Sequence, residues 1–173
     1  MSMVTFAQAS ESIPEKLAGT LESFSEKPLP AGRDAYRIVV WPTFHKPVLI
    51  TIRKTDSGAD VVAKTLHGQG GYEVGGIDSD KAFSISRQGF KKVERAFEKA
   101  KLESFPAREA PYVSGPYGGV LICLDGATWV IEQVVGDKYL YVERYCPAEK
   151  PLLEIGYVLL KTSGLKISKR ELF

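Results

Sequence analysis

Between residues 48 and 66 the chain carries a two-residue period on both sides of a turn, and that pattern permits little besides a β-hairpin. Val48, Ile50 and Ile52 alternate with Leu49, Thr51 and Arg53, which places the two sets on opposite faces of a strand. Thr55-Asp56-Ser57-Gly58 is turn chemistry: short polar side chains that bond nearby backbone, then a glycine. Folding residues 59–66 back across this turn sets Ile52 against Val61 and Ile50 against Ala63, so one face stays apolar through both strands. A slip of one residue would turn every side chain over, so this register is well specified. Residues 36–41 are β-branched and aromatic and are stopped by Pro42, and they read as the preceding strand.

The C-terminal half repeats the strand pattern. Residues 120–123, a turn at Leu124-Asp125-Gly126, residues 128–135, a turn at Gly136-Asp137 and residues 139–146 predict a three-stranded meander. A short strand is expected over residues 81–86. Ser86 then caps a helix running to about Lys101, with Phe90, Val93, Phe97 and Ala100 along one stripe. A second helix is expected over residues 151–162. Leu152, Leu153, Ile155, Tyr157, Val158, Leu159 and Leu160 surround it, which predicts burial, and Gly164 is placed as its C-cap. Residues 106–119, rich in proline and glycine, form the longest irregular stretch. Residues 1–35 read as an N-terminal arm or short helix, with Ser12 as cap, Pro14 in the first turn and Leu17, Leu21 and Phe24 on one face. A linker is the alternative. The expected fold is therefore α+β: an antiparallel β-sheet of about six strands, including the C-terminal meander, with two main helices packed on one face. Residues 36–173 are expected to form that single domain.

Several classes of function are disfavoured by composition. Lysine and arginine number 23 against 21 aspartate and glutamate, a net charge of +2, so the chain lacks the basic stripe of a nucleic-acid binder. Lys166, Lys169 and Arg170 read as a solvated end. No apolar run is long enough for a membrane span. Residues 1–10 show neither the basic start nor the apolar run of a signal peptide. The expectation is a cytoplasmic protein, or a periplasmic mature form whose leader has been removed. His45 and His67 have no histidine or cysteine within four positions, so no metal site is expected, and no cofactor is implied. The meander register places Cys123 beside Thr128 and Ala127 beside Cys146. This puts the two cysteines two strands apart on opposite faces, beyond disulfide reach. Both are expected to be buried free thiols.

Two features remain as candidate sites. The first is the loop His67-Gly68-Gln69-Gly70-Gly71-Tyr72-Glu73-Val74-Gly75-Gly76. A phosphate cradle would need a Gly-Lys-Ser/Thr ending and a helix opening directly after it. Both are missing, so a flexible connector is the preferred reading. A recognition loop presenting His67, Gln69, Tyr72 and Glu73 is the other. The second feature is the meander face carrying Thr128, Val130, Glu132, Val134, Tyr139, Tyr141, Glu143 and Tyr145, expected as a solvated ladder. Glu132 and Glu143 lie diagonally at about the spacing of an acid–base pair, but a flat sheet face supplies no cleft. Ordinary strand formation is preferred there. Next comes partner binding through Glu132, Tyr139, Tyr141, Glu143 and Tyr145, ahead of catalysis.

Several segments carry a resemblance. They are Thr43-Phe44-His45-Lys46-Pro47-Val48, Ala63-Lys64-Thr65-Leu66 with Gly70-Gly71-Tyr72-Glu73-Val74-Gly75, Leu124-Asp125-Gly126-Ala127-Thr128-Trp129-Val130-Ile131-Glu132, Tyr141-Val142-Glu143-Arg144-Tyr145-Cys146-Pro147, Leu153-Glu154-Ile155-Gly156 and Ser163-Gly164-Leu165. Over roughly residues 36–165 the chain resembles a group of small bacterial proteins of unknown function, many made with an N-terminal export signal. The resemblance implies a bacterial source and a periplasmic or envelope location, and no catalytic residue. The expected function is a non-enzymatic binding protein, an immunity or inhibitor protein that neutralises a secreted toxin by protein–protein contact. The alternative is an envelope small-ligand or glycan binder, or a weak hydrolase using Glu132 and Glu143. The oligomeric state is left open.

Overall fold

The computed structural model describes residues 15–108, 113–114, 120–121, 123 and 125–173. In order these form α1 (Glu15–Ser23), β1 (Ala35–Pro42), β2 (Val48–Lys54), β3 (Gly58–Leu66), β4 (Ile77–Ser86), α2 (Arg87–Ala100), β5 (Val113–Ser114), β6 (Val120–Leu121), β7 (Ala127–Val135), β8 (Lys138–Tyr145) and α3 (Lys150–Ser163). The fold is α+β, built on one six-stranded antiparallel sheet of order β4-β3-β2-β1-β7-β8. The hairpin register is the one the alternation dictates, with Ile52 opposite Val61 and Ile50 opposite Ala63.

Both main helices lie on one face of the sheet, as the apolar stripes require. Ser86 caps α2 by accepting the Gly89 amide at 3.3 Å, and Phe90, Val93, Phe97 and Ala100 are its buried residues. Gly164 ends α3 in the left-handed region at φ 64°. These helices cover Ile38, Val40, Ile50, Ile52, Val61, Trp129 and Ile131 to form the main core. Leu153, Tyr157 and Val158 remain only partly buried, so α3 is less enclosed than its sequence suggests. The C-terminal end is docked rather than solvated throughout. Leu172 is buried, its carbonyl accepts the Trp129 indole N–H at 2.8 Å, and Phe173 packs on that ring at 5.4 Å.

Two expectations fail at the edges of this frame. Residues 120–123 do not open a meander. Val120 and Leu121 pair instead with Val113 and Ser114 in a separate two-stranded sheet, because β1 occupies the edge of β7 that a meander would use, in register Ile38–Ile131 and Val40–Trp129. Nor is the second sheet face a solvated ladder. Leu17 and Leu21 of α1, with Phe24 just beyond its end, pack on Val39, Leu49, Leu66, Val130 and Tyr141, since an amphipathic helix needs an apolar surface and this face supplies one. Ser12, Pro14 and most of the irregular stretch 106–119 lie outside the described residues.

The chain between α1 and β1 is held across the sheet by charged side chains. Arg37, fully buried at the sheet centre, donates to Thr51 Oγ1 at 3.0 Å, to Glu132 Oε2 at 3.1 Å and to the Lys27 carbonyl at 2.7 Å. Glu132 is equally buried, and its other oxygen accepts the Tyr139 hydroxyl at 3.0 Å. Lys64 donates to the Phe24 carbonyl at 3.0 Å and pairs with Glu26 at 2.9 Å, while Arg53 meets Glu26 at 3.3 Å. At the end of the sheet near the β7–β8 turn, Asp34 accepts from Lys54 Nζ at 2.8 Å and from the Gly136 amide at 3.0 Å.

Two predictions follow from these contacts. Glu132→Ala leaves the Arg37 guanidinium buried without its counter-charge, which costs about 3–5 kcal/mol. Urea unfolding read by circular dichroism should show that loss, and Glu132→Gln should lose less. The Lys54 bond, with the Gly136 amide beside it, holds the Asp34 carboxyl below its ordinary 3.8. A carboxyl depressed in the folded state contributes stability that is complete above the ordinary value and vanishes as pH falls through the depressed one. Asp34→Asn should therefore lower the unfolding free energy from urea titration at neutral pH by no more than about 1 kcal/mol. The two proteins should converge as pH drops below that carboxyl range.

Candidate functional site

Three connections meet at the end of the sheet where β1 runs out: the β1–β2 loop at residues 43–47, the glycine-rich β3–β4 loop at residues 67–76, and the segment leading into β7. The glycine loop is folded against the β1–β2 loop rather than left as a connector. The Gly70 amide donates to the His45 carbonyl at 3.2 Å and the Gly71 amide to the Thr43 carbonyl at 3.0 Å. Gly68 donates to Val74 at 2.8 Å, Tyr72 to Gln69 at 3.0 Å, and the Trp41 indole N–H to the Gly70 carbonyl at 2.7 Å. Three of the loop's glycines are required by contact. A Cβ at Gly68 would overlap the Glu73 carbonyl, one at Gly70 the Pro42 carbonyl, and one at Gly71 would lie 2.7 Å from Thr43 Cγ2.

On this base sit exposed aromatic rings. Tyr72 is 66% exposed and Phe44 is 42% exposed, with their centroids 5.9 Å apart and planes inclined by 33°. Tyr145, at the end of β8, is 44% exposed, and its hydroxyl accepts the Gly126 amide at 3.3 Å. Gln69 and Glu73 are exposed on the same loop as Tyr72. His67 is also exposed, and its Nδ1 lies 3.2 Å from Asp78 Oδ1. The Lys46 ammonium, 2.8 Å from the other oxygen of Asp78, holds that carboxyl below its ordinary value, with His67 and the Thr65 hydroxyl adding to the effect.

The cysteines lie beside this end, and here the free-thiol expectation is overturned. Cys123 and Cys146 form a disulfide, with their α-carbons 6.4 Å apart. The β7–β8 register is as read, with Thr128 opposite Tyr145. Residue 123 is not in a hairpin partner of β7, because β1 holds that edge. Asp125 and Cys146 instead take left-handed conformations, φ 60° and 52°, and the two sulfurs meet over Gly126. A Cβ at Gly126 would overlap the Cys146 sulfur.

The sheet-face candidates are divided by depth. Glu132 is sealed beneath the covered face, bound by Arg37 and Tyr139. Tyr139 is half-buried, and burial together with the Glu132 charge pushes its phenol well above the usual range. Tyr141 is buried, and its hydroxyl accepts from Arg108 Nε at 2.7 Å. Glu143 is partly exposed, 3.2 Å from Arg108 and 4.0 Å from Lys16. It borders an apolar cleft of about 80 Å³ whose walls include Leu17, Val39, Trp41 and Val130. Glu132 and Glu143 therefore do not face a common space. Of the residues named from sequence, His67, Gln69, Tyr72, Glu73 and Tyr145 reach the loop-end surface. Phe44 was missed, although a large aromatic in a turn between Pro42 and Pro47 is a visible signal. Among the described residues no helix is long and apolar enough to cross a membrane, and no group of three or more His, Cys, Asp or Glu side chains is placed to hold a metal ion. No protein-family model matches the chain, and no curated protein matches its sequence.

Because a Cβ at Gly70 would strike the Pro42 carbonyl, Gly70→Ala should destabilise the protein by about 1–3 kcal/mol through overpacking. Thermal unfolding should report the loss. The mutant's Trp41 indole N–H signal in the NMR spectrum should also shift as its bond to Gly70 is disturbed.

Proposed function

We propose that this chain is a non-enzymatic bacterial binding protein of the periplasm or envelope. In this reading it belongs with the small exported proteins it resembles, and it neutralises a secreted toxin by protein–protein contact through its loop-end surface. The observation that carries the reading is the exposed Phe44–Tyr72 pair, carried on two loops that the Gly70 and Gly71 amides join by bonds to the His45 and Thr43 carbonyls. Aromatic anchors are the side chains most often dominant in protein interfaces. Rings already held in place lose little further freedom on binding, which favours affinity. Tyr145 extends the surface, and Gln69, Glu73 and His67 supply polar chemistry around it.

Two further observations support the compartment and the class of target. Disulfides persist in oxidising compartments such as the periplasm, and Cys123–Cys146 is one. The net charge of +2 is poorly suited to masking a basic nuclease, for which an acidic inhibitor is the complementary solution. A toxin directed at peptidoglycan, lipid or protein fits better.

The test is calorimetric titration against toxins encoded beside the gene. A complex should form at micromolar concentration or below. Tyr72→Ala and Phe44→Ala should each weaken it by about 30-fold, the effect of losing a hot-spot residue worth about 2 kcal/mol, with little change in melting temperature. No complex with any such toxin, or full affinity in both variants, would overturn the reading.

A further inference from the structure

We infer that the Cys123–Cys146 disulfide is a redox lock on the aromatic surface, so that the surface is assembled only in the oxidised chain. The inference concerns the regulation of the proposed binding surface, and its relevance to binding rests on that reading.

A continuous set of contacts links the sulfurs to the rings. The disulfide closes over Gly126, leaving no room for a Cβ there. The Gly126 carbonyl accepts both the Thr43 amide at 3.0 Å and the Thr43 hydroxyl at 2.8 Å. The Thr43 carbonyl in turn accepts the Gly71 amide at 3.0 Å, directly before Tyr72. Phe44 follows Thr43 and packs on Tyr72. On the other side, the Gly126 amide donates to the Tyr145 hydroxyl at 3.3 Å. Phe44, Tyr72 and Tyr145 thus all trace back to the position of one glycine lying against the cross-link.

The backbone around the cross-link supplies a second, independent argument. Asp125 and Cys146 both sit at positive φ, a region that residues other than glycine enter only at a cost. With the sulfurs joined, these conformations are tied to each other. With the sulfurs apart, both residues are free to relax toward the ordinary regions, and Gly126 lies between Asp125 and the first residue of β7. Cys123 and Cys146 are both partly exposed, so a dithiol reductant can reach them. In the reductive step two electrons and two protons pass to the sulfurs. Cys123 and Cys146 become thiols, and the donor closes its own disulfide.

The test compares amide hydrogen exchange by NMR in the oxidised protein and in the protein held with excess dithiothreitol. On reduction the amides of Thr43, Gly70 and Gly71 should exchange at least about tenfold faster, as local opening becomes easier. Those of Ile50 and Val61 at the sheet centre should keep their protection and so report an intact fold. Gly126→Ala provides a variant that leaves both cysteines in place. It should yield two reactive thiols on denaturation, where the native chain yields none, and the same loosening of Thr43, Gly70 and Gly71. Unchanged exchange at these three amides on reduction would overturn the inference. The measurement needs no partner, so the two readings fail separately. Loosened amides together with full toxin affinity in Tyr72→Ala and Phe44→Ala would leave the lock standing and remove the binding surface.

Discussion

Arg37 has no exposed surface, yet its guanidinium reaches three different parts of the chain: Thr51 on β2, Glu132 on β7 and the carbonyl of Lys27 in the segment that leads out of α1. A charge in that position is tolerable only if it is paired and its donors are satisfied. The pairing requires β1 to lie between β2 and β7, because one guanidinium must meet both neighbours at once. It also requires the N-terminal segment to cross the sheet, because the remaining donor has Lys27 as its acceptor. Lys64 and Arg53 repeat the arrangement further along, fixing Phe24 and Glu26. Through these three cations, a face on which Arg37, Thr51 and Glu132 stand among Val39, Leu49 and Val130 becomes an interior.

Much of the fold was legible because local periodicity and caps agree with the tertiary structure. The 48–66 hairpin, the Ser86 cap with its stripe of Phe90, Val93, Phe97 and Ala100, and the Gly164 terminus each rest on a signal contained within a few residues. The role of α1 was half legible. Leu17, Leu21 and Phe24 could be placed on one helix face, but the surface they seek is built from Val39, Leu49, Leu66 and Val130, contributed by four strands. The polarity of Glu132 pointed the wrong way, since its partner Arg37 lies 95 residues earlier. A charged residue in a strand looks exposed until its counter-ion is known.

The disulfide failed to emerge for a related reason. Register arithmetic between β7 and β8 was sound, but it was extended through a turn to a third strand on the assumption that neighbours in sequence are neighbours in the sheet. That tendency holds for most strand pairs but not all, and here β1, distant in sequence, fills the place. Freed from a ladder, residue 123 comes within 6.4 Å of Cys146. The cross-link spans 23 residues, a closure worth about 3 kcal/mol in chain-entropy terms, so the omission concerned a substantial constraint.

The glycine loop shows how amide bookkeeping separates kinds of recognition. A loop that binds phosphate keeps its N–H groups pointing at the ligand. Here the amides of Gly68, Gly70, Gly71 and Tyr72 are all given to carbonyls of the same or the adjoining loop, and a Cβ at Gly68, Gly70 or Gly71 would collide with the Glu73 carbonyl, the Pro42 carbonyl or Thr43. What the loop offers outward is therefore side chain: the ring of Tyr72 beside that of Phe44, with Gln69, Glu73 and His67 near it in sequence. Glycine-rich composition, which first suggests either a cradle or slack, here buys rigidity. A rigid base leaves the rings little conformational freedom to lose when something is laid against them.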